Sequence, residues 1–298
     1  MTGGRKSGFV ALLGRPNVGK STLLNRILGA KVAIVTNKPQ TTRDRIAGIY
    51  NSGEGQIVFL DSPGIHRPKK ALNLYMVRTA ERIASEADVV VHIVDDRRLE
   101  TGEEESLVRD ILERLAVPRL LVVNKADRMG AGAAGPRLSE MMESGLYREG
   151  FLVSATTGLG VDAFLRSLFE MLPEGPAYYS EEDLTDLPMR FIAKEIIREK
   201  LFEELSDEIP YSVAVSIEEY KEDAEKGLIR IRGEICVERE SQKGIVIGRG
   251  GRMLKNIGTA ARLELEKETR ERVYLELFVK VEKDWSKNER VLRRLGYA

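Results

Sequence analysis

Two glycine-rich stretches carry the most specific chemistry in this sequence. The first, Gly14-Arg-Pro-Asn-Val-Gly-Lys-Ser21, has the spacing G-x-x-x-x-G-K-[ST]. Such glycines let backbone N–H groups turn inward around phosphates, at the positive end of a helix that begins near Lys20. Lys20 then reaches the β- and γ-phosphates, Ser21 binds Mg²⁺, and Gly14, Arg15, Pro16, Asn17, Val18, Gly19 and Thr22 complete the nucleotide-binding loop. The second stretch, Gly244-Ile-Val-Ile-Gly-Arg-Gly-Gly-Arg-Met-Leu-Lys-Asn-Ile-Gly258, looks like another phosphate cradle. It fails both nucleotide patterns: Met253 stands where G-x-G-x-x-G needs its last glycine, and no Gly-Lys-Ser/Thr is present. What remains is a G-x-x-G turn, Gly248-Arg-Gly-Gly251, between two helical segments.

Base identity comes from Asn124-Lys-Ala-Asp127, at the end of an apolar strand. A carboxylate at Asp127 accepts from both the ring N–H and the exocyclic amine of guanine, a pair that adenine does not offer. Here the sequence resembles the translation-factor-like GTPases and their N-K-x-D motif, with Asn124, Lys125 and Asp127 as its members. Ser154-Ala-Thr156 resembles their S-A-K loop, whose backbone contacts the guanine oxygen, although Thr156 replaces the usual lysine.

Between these motifs lies Asp61-Ser-Pro-Gly64, a D-x-x-G element in which Asp61 holds Mg²⁺ through water and Gly64 offers its N–H to the γ-phosphate. The resemblance places the family's mobile Mg²⁺-binding threonine at Thr41 or Thr42, with Thr42 preferred. Lys20, Thr42 and Gly64 are thus the expected catalytic residues, and Ser21, Thr42 and Asp61 the expected metal ligands. Ile65 follows Gly64 where Ras-like enzymes carry a water-orienting glutamine, and an aliphatic side chain cannot orient water by hydrogen bonding. Hydrolysis is therefore expected to need help from a partner, from backbone in the loop 34–45, or from a monovalent cation. Asn17 matches the asparagine of K⁺-dependent relatives, which implies K⁺ as a second cofactor. Arg15, Arg43 and Arg45 read as surface or RNA-contacting cations rather than arginine fingers, and His92 as a core histidine.

These motifs need a scaffold, and the punctuation of the chain supplies one. Apolar runs at 9–13, 56–60, 87–94, 119–123 and 151–153 alternate with helical patterns, which implies a doubly wound α/β domain with a parallel sheet covered on both faces. A stretch with neither period follows Pro173-Glu-Gly-Pro176. The expected organisation is a nucleotide-binding domain over 1–175, a linker over 176–188 and an α+β domain over 189–298, with a small-residue loop at 130–135. In the second domain the order helix–strand–strand–helix–helix–strand surrounds the G-x-x-G turn, with Ile245, Val246, Ile247, Met253, Leu254 and Ile257 expected on inward faces. This is the pattern of a type II KH domain, which binds single-stranded nucleic acid. The window 241–263 contains Lys243, Arg249, Arg252, Lys255 and Arg262 and not one carboxylate, as a phosphate track requires. Lys243, Ile245, Ile247, Gly248, Arg249, Gly250, Gly251, Arg252 and Lys255 are the expected RNA-binding residues.

Composition narrows the setting. With 47 basic and 47 acidic residues, the whole-chain field draws in no polyanion, so any nucleic-acid contact is local. One cysteine, Cys236, excludes an intramolecular disulfide and a cysteine-rich zinc site and fits a reducing, cytoplasmic compartment. No segment reads as a signal peptide or approaches the ~20 apolar residues that span a bilayer.

Several further stretches resemble the Era family of ribosome-assembly GTPases over almost the full chain. They include Pro39-Gln-Thr-Thr-Arg43, Glu195-Ile-Ile-Arg-Glu-Lys-Leu201, Ile209-Pro-Tyr-Ser-Val213, Val246-Ile-Gly248, Leu275-Glu-Leu277 and Leu295-Gly-Tyr297. The resemblance implies GTP and GDP as ligands and the 3′ end of 16S rRNA and the small ribosomal subunit as partners, with nucleotide state controlling domain docking. It also implies a peripheral association with the inner membrane; a monomer is expected. The competing reading is a GTPase whose C-terminal module mediates oligomerisation or membrane-surface contact.

Overall fold

The computed structural model describes residues 5–95, 102–129 and 134–297. Most of the small-residue loop at 130–135 lies outside the described residues. The chain divides into two compact units, residues 1–69 with 76–186 and residues 70–75 with 187–298.

The first unit is built on a six-stranded sheet in the order β2-β3-β1-β4-β5-β6. These strands are β1 (Lys6–Leu13), β2 (Ile46–Ser52), β3 (Gly55–Asp61), β4 (Val89–Val94), β5 (Arg119–Val123) and β6 (Glu149–Leu152). Every residue of β3 and β4 is buried, as a strand with helices on both faces requires. One face packs on α2 (Ala71–Glu86), α3 (Glu103–Glu113) and α4 (Ala134–Met142) through Ile83, Ala84, Val108, Leu112 and Met141. On α1 (Lys20–Leu28) the residues Leu23, Leu24 and Ile27 are buried, and on α5 (Val161–Met171) Phe164 and Leu168 are. Because β1 lies between β3 and β4, the loop after it opens where the chain path reverses across the sheet, the usual ligand site of such folds.

The sheet is not wholly parallel. β2 pairs antiparallel with β3, with Ile46 opposite Asp61 and Ser52 opposite Gly55. Its side chains do not keep the fully apolar run of the buried strands, so the sequence pattern did not mark it as a strand; the tight connection at 53–54 makes it a hairpin partner. The stretch 176–188 then covers this edge. Ile49 N–H donates to the Leu184 carbonyl (2.9 Å), Thr185 Oγ1 to that of Ala47 (2.7 Å) and Asn51 Nδ2 to that of Glu181 (3.1 Å). Buried Gln56 fixes its start by accepting from the Tyr178 and Tyr179 N–H groups at 2.8 and 3.0 Å. The segment up to Asp186 thus covers the β2 strand edge and groups with the first unit.

The second unit has a three-stranded sheet, β7 (Val213–Asp223), β8 (Leu228–Val237) and β9 (Arg272–Val281), in that spatial order. β7 and β8 form an antiparallel pair with a bulge between Ile217 and Glu219, and β9 runs parallel to β8. α6 (Met189–Glu204) and α8 (Arg252–Thr269) bury Ile197, Leu201, Ile257, Ala261 and Leu265 against Val215, Ile231 and Ile235. α7 (Glu240–Ile247) leads into the G-x-x-G turn, and α9 (Glu289–Arg294) closes the unit with Asn288 capping its first N–H groups. Trp285 is fully buried and donates from Nε1 to the Ser212 carbonyl at 2.9 Å. Among the described residues no helix is long and apolar enough to cross a membrane.

Candidate functional site

The loop from Gly14 to Gly19 connects β1 to α1. Gly19, at φ 95°, caps the helix in the left-handed region, where a Cβ would also fall 2.3 Å from Asn124 Nδ2. No side chain caps the first turn of α1, so its N–H groups remain available to an anion. Lys20 Nζ donates to the Gly14 and Arg15 carbonyls at 3.0 and 2.9 Å. Burial lowers this ammonium to about 8, partly offset by Asp61.

Beside Lys20, Ser21 Oγ donates to Asp61 Oδ2 at 2.6 Å and lies 3.0 Å from Thr42 Oγ1. Thr41 is instead tied into its own loop, donating to the Lys38 carbonyl at 2.7 Å. Burial pushes the Asp61 carboxyl up to about 6, against the opposing pull of Lys20 and of hydrogen bonds from Ser21, Thr42 and Ser62. Its Oδ1 is buried and has no hydrogen-bond partner. One orphaned carboxylate oxygen beside two hydroxyls is the donor set of a hard cation that draws its remaining ligands from a phosphate and water. Among the described residues no group of three or more His, Cys, Asp or Glu is placed to hold a metal ion.

Gly64 approaches the loop so closely that a Cβ would stand 2.7 Å from Pro16 Cα, and the next N–H, of Ile65, donates to the Gly14 carbonyl at 3.1 Å. Ile65 itself is fully buried in the core. His66 Nδ1 lies 2.9 Å from the Gly64 carbonyl and Nε2 lies 3.2 Å from Gln40 Nε2, so the loops carrying Gln40 and Gly64 are joined.

At the far end, Asn124 Nδ2 donates to the Val18 carbonyl (2.8 Å) and Oδ1 accepts from the Ala155 N–H (3.0 Å), which joins the two nucleotide loops to the Ser154–Thr156 turn. Arg26, on α1, holds that turn from behind through the Ala155 carbonyl at 2.9 Å and the Thr156 carbonyl. Nothing in the motif spacing pointed to Arg26. All these elements enclose one cavity of about 570 Å³, lined by Asn17, Lys20, Ser21, Thr42, Gly64 and Asp127 among others. Pro16, Gly19, Thr22, Asn124, Lys125, Ala155 and Thr156 also line it. Arg15, Val18, Asp61 and Ser154 stand behind its wall. Arg15 turns to Asp95 and Glu105, Val18 and Ser154 are fully buried, and Asp61, fully buried too, accepts from Ser21 Oγ. None of Arg15, Arg43 and Arg45 lines the cavity, but Arg43 is buried in the fold rather than a surface cation as expected. His92 is fully buried 2.7 Å from the Tyr147 hydroxyl, and burial, with nearby Arg109, Arg15 and Lys20, pushes it down to about 3.

In the second unit, Gly248 adopts φ 72°, and a Cβ there would meet that of Met253 at 2.6 Å. Arg249, Gly250, Arg252 and Lys255 are exposed around the turn, whereas Lys243, Ile247, Gly248 and Gly251 are half-buried. Of the six residues expected to face inward, Val246 and Ile257 are fully buried but Ile245 is 48% exposed. On the short α7 the neighbouring Gly244 is exposed as well, and a Cβ there would meet nothing within 4 Å. A groove of about 370 Å³ runs beside the turn, with Gly251, Lys255 and Gly258 on one side and Leu275 and Leu277 of β9 on the other. Leu254 adds to its apolar lining. The walls from β9 were missed in the sequence, although the alternation around Glu276 gave a signal for them.

The first unit is therefore a P-loop GTPase domain and the second a type II KH domain. Family models agree: residues 9–125 match the 50S ribosome-binding GTPase family and residues 208–286 the KH domain. The chain is 50% identical over 292 residues to GTPase Era of Geobacter metallireducens, covering 98% of each chain. It is 43% identical to GTPase Era of Staphylococcus haemolyticus, covering 98% of this chain and 97% of the other. It also matches a crystal structure of Era in complex with MgGDPNP and nucleotides 1506–1542 of 16S ribosomal RNA, with TM-score 0.94, 41% identity and 99% of each chain covered. A variant of Aquifex aeolicus Era bound to GDP·AlF4⁻ matches with TM-score 0.93 and 41% identity over 98% of this chain and 99% of the other. The chain belongs to the GTPase Era family, and it is a GTPase.

Proposed function

We propose that this GTPase is a nucleotide-controlled switch that binds the 3′ end of 16S rRNA in its KH groove during assembly of the small ribosomal subunit. The observation that carries this reading is the presence in one chain of the guanine-nucleotide cavity and of the basic G-x-x-G turn with its apolar groove. The Era structure with MgGDPNP and 16S rRNA nucleotides supports it. Crosslinking the protein in cell extract with GTP or GDP, followed by sequencing of the attached RNA, tests it. Recovery of no 16S 3′-end fragments would instead favour the oligomerisation or membrane-contact reading of the second unit.

In this reading the Gly14–Gly19 backbone and Lys20 hold the β- and γ-phosphates, and Thr42 and Gly64 close on the γ-phosphate. Asn124, Lys125, Asp127 and the turn at Ser154, Ala155 and Thr156 hold the base. Ser21, Thr42 and, through water, Asp61 would hold Mg²⁺, which would supply charge neutralisation for the phosphate oxygens. The protein works in the cytoplasm as a monomer; peripheral contact with the inner membrane rests on family resemblance and is checked by co-sedimentation with anionic vesicles.

Because burial raises the Asp61 carboxyl to about 6, ionising it costs more in the folded chain than in the unfolded one. Stability of the nucleotide-free protein accordingly declines as pH rises from about 4 to about 6 and stays lower above that. Asp61→Asn escapes this penalty: at pH 7 the nucleotide-free variant is expected to melt a few degrees higher while GTP turnover falls at least about 100-fold. Calorimetry and a phosphate-release assay check the two halves.

Ile65 leaves the water without a side-chain partner, so another group must assist hydrolysis. Asn17 sits at φ 64° and its Nδ2 donates to the Asn37 carbonyl at 3.0 Å, which brings the phosphate loop against the loop 34–45. A K⁺ ion beside Asn17 Oδ1 would lie next to the phosphates. Turnover is expected to rise about tenfold or more when Na⁺ is exchanged for K⁺ at constant ionic strength; equal rates in the two salts would remove K⁺ from the mechanism.

A further inference from the structure

Asp95 follows β4 directly and belongs to none of the motifs, yet its carboxylate is fully buried behind the nucleotide cavity. Oδ2 accepts from Lys125 Nζ at 2.9 Å, and Oδ1 lies 3.5 Å from Arg15 Nη2. The Lys125 ammonium also donates to the Asn17 carbonyl at 2.8 Å. One carboxylate therefore joins the phosphate loop, through Arg15, to the base loop, through Lys125. Glu105 of α3 supports the same guanidinium at 3.4 Å from Arg15 Nε.

A buried carboxylate is costly unless paired, and breaking such a pair leaves uncompensated charge. Here Arg15 and Lys125 are both within ion-pair distance of it. Lys125 lines the cavity while Arg15 does not, so the bridge transmits to the ligand chiefly through Lys125. With its ammonium fixed at both Asp95 and Asn17, the aliphatic stem of Lys125 has little rotamer freedom left to lose when a base packs along it. That entropy is spent in folding rather than in binding. Lys125 itself adopts φ 61°, a left-handed backbone that a non-glycine residue holds only when its surroundings enforce it.

We propose that Asp95 is a positioning residue for guanine nucleotides, which preorganises Lys125 and locks the phosphate loop to the base loop through Arg15. The inference rests on the reading of the cavity as a guanine-nucleotide site. It assigns Asp95 no contact with the nucleotide, so its removal weakens GTP and GDP alike and leaves the chemical step nearly untouched.

The test is GDP and GTP affinity, by stopped-flow release of a fluorescent GDP and by titration, in the full chain carrying Asp95→Asn, Lys125→Met, both, or Arg15→Met. Asp95→Asn is expected to weaken both nucleotides by about ten- to a hundredfold, mostly through faster release, with kcat at saturating GTP within about threefold of wild type. In the Lys125→Met background the same change is expected to cost less than about threefold, because the two residues act as one unit. Arg15→Met keeps the carboxylate and is expected to speed GDP release about threefold or more, so the proposal stays testable if Asp95→Asn does not fold. Additive losses in the double variant, a drop in kcat without a change in affinity, or unchanged release from Arg15→Met would overturn the role of Asp95. A wild-type protein that fails to bind GDP would instead overturn the nucleotide reading beneath it.

Discussion

Asp127→Asn is expected to weaken GTP and GDP by roughly 10²–10⁴-fold and to create affinity for xanthine nucleotides. The carboxylate stands on the single helical turn Ala126–Arg128, at the exposed rim of the cavity, a turn closed by the Arg128 N–H donating to the Lys125 carbonyl at 2.9 Å and anchored by the Ala126 N–H on the Val153 carbonyl at 3.1 Å. Guanine presents two donors to it, the ring N–H and the exocyclic amine, and each charge-assisted bond is worth about 1.5–3 kcal/mol. An asparagine turns one of its two acceptors into a donor that faces the amine, so both bonds are not replaced. Xanthine carries a carbonyl where guanine carries that amine and accepts from the new amide. Competition of GDP, XDP and ADP against a fluorescent GDP measures the exchange. Undiminished GDP affinity would mean that the base lies elsewhere.

The second large effect concerns the KH turn. Paired Arg249→Asp and Gly250→Asp substitutions are expected to lower affinity for a single-stranded oligonucleotide of the 16S rRNA 3′ end by about 100-fold or more, without changing GDP binding. Both positions are exposed, and a Cβ at Gly250 meets nothing within 4 Å. Its φ of 61° is a left-handed conformation that aspartate tolerates better than most residues. Gly248 is the wrong place to test the turn, because its Cβ would strike Met253 and perturb the fold. The variant replaces one cation by two anions on the phosphate track, so the slope of log affinity against log salt is also expected to become shallower. If nucleotide and RNA are linked, wild-type affinity for the oligonucleotide must differ between the GTP-analogue and GDP states, and by reciprocity RNA must change nucleotide affinity by the same factor. A full-strength RNA complex in the aspartate variant would exclude the turn as the RNA site.

What could be read from residue types alone was local chemistry. A glycine-rich loop with Lys20 and Ser21, a carboxylate at Asp61 before Gly64, and the Asn124-to-Asp127 run each place donors and acceptors within a few residues of one another. Contiguous backbone geometry is enough to aim them. The G-x-x-G turn is legible for the same reason, since Gly248 must hold a positive φ against Met253, five residues later.

Long-range pairing was decided only by the tertiary structure. β2 became an antiparallel edge strand because Asp61 and Gly55 of β3 were available opposite it, and the stretch up to Asp186 became the cover of that edge through Ala47, Ile49 and Gln56. The groove beside the G-x-x-G turn owes its second wall to Leu275 and Leu277, which reach it only because β9 pairs parallel with β8. Arg15 sits inside the most recognisable motif of the chain, yet its side chain turns to Asp95 and Glu105, 80 and 90 residues further on, and not to the phosphate cavity. A long flexible cation takes the best buried partner in reach, and which carboxylate that is depends on how the strands are ordered. The sequence by itself determined which ligands could be held; the order of the sheet decided which side chains hold the loops that hold them.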